Sequence, residues 1–112
     1  MKHALYALAL IASPAAAEPF VPPSEYVYQA LNLADMGETL DCRHIAGCYE
    51  ANPLLGKHPS DGKVIGFKLG GGVIHFLAAH ALRHDAKAER VFEFVSIAVQ
   101  GGVVAANVRM FF

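Results

Sequence analysis

The chain has 112 residues and a formal net charge of −1, which is room for one domain and no electrostatic case for binding nucleic acid. Hydrophobic residues make up 54% and charged residues 17%. Soluble domains average about 45–50% and about 25%, so both departures point toward a membrane.

Residues 1–17 read as a signal peptide. Lys2 and His3 form a short n-region, 4–12 is an apolar h-region, and Ser13 and Pro14 break it. Ala15, Ala16 and Ala17 then supply small residues for cleavage before Glu18. The apolar run is too short to span a bilayer. The other reading of it is an uncleaved N-terminal anchor.

Residues 18–25 are expected to be extended, because Pro19, Pro22 and Pro23 oppose a helix start before Ser24. A helix over 25–46 follows, ending near Gly47. At 100° per residue Tyr28, Asn32, Asp35, Thr39 and Cys42 share one face, and Ala30, Leu33, Gly37 and Leu40 lie opposite. Glu38, Asp41 and Arg43 interrupt the flanks. Charges cost about 2.5–3.5 kcal/mol each at a bilayer centre, which favours an interfacial amphipathic helix. A buried helix packed on the rest of the chain is the second reading. Cys42 and Cys48 bracket the helix end, and in an exported chain two cysteines are most simply a disulfide. Cys42, His44 and Cys48 lack a standard zinc spacing.

Asn52-Pro53 is a turn signal, and Ser60 is an N-cap for the next helix, with Asp61 in its first turn. That helix, 63–82, is mostly apolar but carries Lys68, His75 and His80. Gly66 and Gly70 form a G-x-x-x-G pair, with Gly71 and Gly72 beside it. Such glycines weaken a helix in water and let helices approach closely in a membrane. Residues 83–90 read as a charged loop whose Arg83, Lys87 and Arg90 place it in the cytoplasm. A last helix, 90–112, carries a polar stripe of Glu93, Ser96, Gln100 and Asn107.

Antiparallel packing about that loop would set His80 level with Glu93, His75 within reach of Gln100, and Lys68 within reach of Asn107. Intramembrane ionisable groups face an interior and pair. Lys68, nearest the outer surface, is expected to pair with Asp35, Glu50 or both.

Asn32, Asp35 and Thr39 spell N-x-x-D-x-x-x-T; Glu50, Asn52 and Pro53 spell E-x-N-P; Lys68 follows in an apolar helix. In these motifs the chain resembles a family of small bacterial membrane proteins of unknown function. The resemblance implies that the helix carrying Asp35 and Thr39 is a membrane helix, and it singles out Asp35, Thr39, Glu50, Asn52 and Lys68. It implies no activity.

The expected fold is all-α: a transmembrane two-helix hairpin with an additional N-terminal amphipathic helix, in one domain over 18–112. Residues 18–62 are expected on the periplasmic side of a bacterial inner membrane, with 83–90 cytoplasmic. The polar cluster comprises Asp35, Thr39, Glu50, Asn52, Lys68, His75, His80, Glu93 and Gln100. The functional expectation is a non-enzymatic membrane component without metal or cofactor. It would act by helix association through its glycine faces, with the bilayer and a second copy or another membrane protein as partners. One alternative is an intramembrane metal- or proton-handling site or enzyme using Asp35, Glu50 and His75. Another is a soluble periplasmic bundle. No hydrolase, nucleotide-binding or zinc-protease motif is present.

Overall fold

The computed structural model describes residues 19–42, 44–50 and 52–111, with side chains described through residue 109. The segment read as a signal peptide lies outside the described residues. The described residues are all-helical: α1 Pro23–Cys42, α2 Asp61–Ala81 and α3 Ala86–Phe111.

Helix α1 starts two residues earlier than expected, at Pro23. A proline in the first turn loses nothing, because its missing N–H would have no intrahelical partner there. The helix stops at Cys42, short of the expected residue 46. Beyond it the chain closes tight turns: the His44, Ile45 and Cys48 N–H groups donate to the Asp41, Cys42 and Ile45 carbonyls. Gly47, at φ 79°, supplies the left-handed bend. The turn brings Cys42 and Cys48 together in a disulfide with a Cα–Cα distance of 5.4 Å.

The connector to α2 is a knot of local bonds. Asn52 Oδ1 accepts from the Leu54 N–H at 3.0 Å, and Glu50 Oε1 accepts from the Asn52 N–H at 2.9 Å. Ser60 caps α2 as expected, accepting from the Lys63 N–H at 3.2 Å. The hairpin turn is shorter than expected. Asp85 caps α3 by accepting from the Ala88 N–H at 3.0 Å, so 86–90 is helical and only 82–85 is turn.

This early cap resets the register between α2 and α3. His75 lies level with Phe92, their ring centroids 4.4 Å apart, rather than within reach of Gln100. The larger correction concerns what the hairpin packs on. Helix α1 lies along both partners, and α2 and α3 touch each other little. It runs antiparallel to α2: Phe20, before α1, stacks on His80, while Asp35 meets Lys68. Residues 19–22 therefore sit at the end of the bundle that holds the 82–85 turn, and the disulfide sits at the opposite end.

The face of α1 that packs inward is its polar one. Glu25, Asn32, Asp35 and Thr39 are buried, while Val27 and Leu33 are exposed. The same inversion holds for the hairpin, where Glu93 is buried and Val73, Ile74, Leu77, Phe94, Val95 and Val99 are exposed. Among the described residues the buried apolar side chains lie toward the two ends, Val21 and Ala79 at one, and Cys48, Leu55 and Val64 at the other. Helix α2 and residues 86–109 of α3 are each long and apolar enough to cross a membrane.

Candidate functional site

The site is a polar seam running the length of α1. At its 82–85 end, His80 stacks on Phe20 at 3.4 Å between ring centroids, and its Nδ1 bonds the Phe20 carbonyl at 2.7 Å. His80 therefore meets residue 20, not Glu93 as the expected register required.

One step inward lies His75. Its imidazole is held between two rings, Tyr28 at 3.5 Å and Phe92 at 4.4 Å. Its Nδ1 bonds both carboxyl oxygens of Glu25, Oε2 at 2.7 Å. Stacking on both faces fixes the ring plane, and the carboxylate fixes its rotation in that plane. Glu25 is fully buried and also accepts from Gln29 Nε2 at 3.4 Å. Glu93 of α3 is 3% exposed and faces Glu25.

In the middle, two amides of α1 bind the backbone of α2. Gln29 Nε2 donates to the Gly72 carbonyl and Asn32 Nδ2 to the Lys68 carbonyl, each at 2.9 Å. A Cβ at residue 72 would fall 2.9 Å from Gln29 Oε1 and 3.0 Å from Asn32 Nδ2. Glycine there is what allows the two amides to reach α2.

Further along, Lys68 and Asp35 form the expected ion pair. Asp35 also accepts from Gln100 Nε2 at 2.9 Å and from Asn107 Nδ2 at 3.2 Å. One carboxylate thus ties all three helices together. A buried ion pair is tolerable when additional hydrogen bonds satisfy its remaining lone pairs, as they do here. Asn107 also donates to Glu38 at 3.3 Å. At the disulfide end, Thr39 Oγ1 donates to Glu50 Oε2 at 3.0 Å.

The expected cluster is therefore partly gathered. Asp35, Lys68 and Gln100 meet at one point. Glu50 joins Thr39 and the Asn52 turn, not Lys68. His75 joins Glu25, not Gln100. Asp35, Glu50 and His75, grouped as an alternative metal or proton site, sit in three separate places along the seam. Among the described residues no group of three His, Cys, Asp or Glu side chains is placed to hold a metal ion. A cleft of about 20 Å³ beside the disulfide, lined by Thr39, Cys42, Cys48, Glu50, Lys57, His58 and Pro59, has room for roughly one water.

Glu25 is the residue that sequence reasoning missed. The signal was present: Glu25 precedes Asn32 by seven residues and continues the Asn32, Asp35, Thr39 stripe backward. No family model, curated protein or solved structure matches this chain.

Proposed function

We propose that this protein is a small membrane component that acts by associating with other transmembrane helices, and that α1 crosses the bilayer together with α2 and α3. The observation that carries the reading is the inverted partition of side chains, charges and amides inside with apolar residues outside. A core helix of a water-soluble protein can be as long and apolar as α2 or α3, but it is mostly buried. Here the most apolar 18-residue stretches of these two helices are only 22% and 6% buried. In water such a surface would invite aggregation. In lipid it needs no cover, while the seam, Glu93 apart, pairs side chains that lipid cannot.

The associating surface is the Gly66/Gly70 face of α2. A Cβ at either position would meet nothing within 4 Å, so neither glycine serves packing within the chain. Val73 and Leu77 continue the same face and are more than half exposed. Small residues four apart on a lipid-facing surface let a second helix approach closely.

A disulfide persists on an oxidising side, so the Cys42–Cys48 end is assigned to the outside. Arg83, Lys87 and Arg90 cluster at the other end, which suits the cytoplasm. Residues 19–22 share that end, so on this reading they lie on the cytoplasmic side with the 82–85 turn. The resemblance to small bacterial membrane proteins agrees with a membrane-embedded α1 and adds no activity.

The test is alkaline carbonate extraction followed by native electrophoresis in mild detergent. The protein should stay in the membrane pellet and migrate above monomer mass, and Gly66→Ile with Gly70→Ile should return it to monomer. Release into the carbonate supernatant would instead support the soluble bundle.

A further inference from the structure

Glu93 projects from α3 into the bundle, 3% exposed, and neither of its carboxyl oxygens has a hydrogen-bond partner among the described residues. The group it faces on α1 is a second carboxyl, Glu25, which is fully buried. Tyr28 of α1 and Glu89 of α3 are the other titratable groups that feel its charge. On α2 the titratable group at this level is His75, already bonded to Glu25. Lys68, the next basic group along the seam, is engaged by Asp35.

Between the His80 contact at one end and the Thr39–Glu50 bond at the other, the carboxyls of Glu25, Asp35, Glu38 and Glu93 share the seam with two basic groups, Lys68 and His75. A buried carboxylate without a partner is costly, and a second carboxylate beside it raises that cost. Among the described residues no group of three His, Cys, Asp or Glu side chains is placed to hold a metal ion there. A proton relieves the cost, because it removes one charge and supplies the missing donor.

We propose that Glu93 and Glu25 form a proton-binding site inside the bundle, one proton being shared between the two carboxyls while His75 holds Glu25 in place. In the loaded state the Glu93 hydroxyl donates to the Glu25 carboxylate. Uptake adds one proton to one carboxylate, and release returns it with no other bond changed. With Nδ1–H donating to Glu25, the His75 Nε2 is the basic position of the ring. It too lacks a hydrogen-bond partner among the described residues. This inference rests on the burial of Glu93 against α1 and not on the surface through which the protein associates.

The test uses the purified full-length protein in detergent micelles, treated with dicyclohexylcarbodiimide and mapped by peptide mass spectrometry. A protonated carboxyl adds across the carbodiimide, its own proton being consumed, and rearranges to a stable N-acylurea with nothing lost. Adduct is expected on Glu93 or Glu25, declining about tenfold per pH unit above the titration of the site. In Glu93→Gln, Glu25 keeps its donors from His75 and Gln29 but has no second carboxyl with which to share a proton, and adduct should vanish from both positions. The infrared carbonyl band of a protonated carboxyl reads the same proton without a reagent. It should be present in mildly acidic buffer, disappear in alkaline buffer, and be absent from Glu93→Gln. A wild-type protein without that band overturns the proposal. So does protection from the carbodiimide by sodium ions at fixed pH and ionic strength, which would identify a cation site instead.

Discussion

Lys68 and Asp35 are the residues on which the packing of the three helices turns. Replacing Lys68 by Met leaves a buried carboxylate without its charge partner, a change that typically costs about 3–5 kcal/mol. Gln100 and Asn107 still donate to Asp35, so a loss of about 3 kcal/mol is expected in reversible unfolding in mixed micelles. Adding Asp35→Asn to Lys68→Met removes the orphaned charge and should recover most of it. A double-mutant cycle with no coupling would remove the pair from the account. This contact was legible in the sequence, because opposite charges at similar depth in an apolar setting have few other partners. The Glu25–His75 contact was not. It depends on α1 starting at Pro23 and lying along α2, and neither is implied by a proline-rich stretch preceding a helix.

Among the helices, the glycines of α2 divide into two kinds that composition alone does not separate. Gly72 lies under the amides of Gln29 and Asn32, and Gly71 faces open space. Gly72→Ala should displace both amides and cost about 1–3 kcal/mol, the usual penalty for disturbing buried hydrogen bonds. Gly71→Ala should be neutral or stabilise by up to about 1 kcal/mol through helix propensity. Equal thermal stability of the two variants in detergent would show that α1 does not press on residue 72. The cysteine pair and the Ser60 cap were readable because each is set by neighbours a few residues away. The turn at 82–85 was not, since 83–90 reads as one charged loop, and Asp85 is the cap that shortens it. That reading moved the hairpin register by more than a helical turn and paired His80 with the wrong residue.

For the whole molecule, the prediction concerns which residues share a side. In a Cys42→Ser, Cys48→Ser background, single cysteines at Pro19, Lys57 and Lys87 are probed in intact cells with a membrane-impermeant maleimide. If α1 crosses the bilayer with its partners, Pro19 and Lys87 are protected alike and Lys57 labels. If Pro19 labels with Lys57 while Lys87 is protected, α1 lies on one side, and its packing along α2 is wrong. Labelling at all three positions would place the whole chain outside the membrane barrier.

The sequence by itself determined that the chain is helical, where the apolar segments lie, that the cysteines would pair, and that Lys68 would meet a carboxylate, Asp35 or Glu50. These follow from composition, periodicity and charge, which act locally or between obvious complements. Only the tertiary structure decided that α1 sits between the hairpin helices instead of beside them. The physical reason is that an amphipathic helix has two ways to bury one face. Periodicity shows that Glu25, Asn32, Asp35 and Thr39 share a side, and is silent on whether that side meets water or other helices. The partners that settle it, Gly72, His75, Gln100 and Asn107, stand 40 to 75 residues away, and their alignment depends on a turn four residues long.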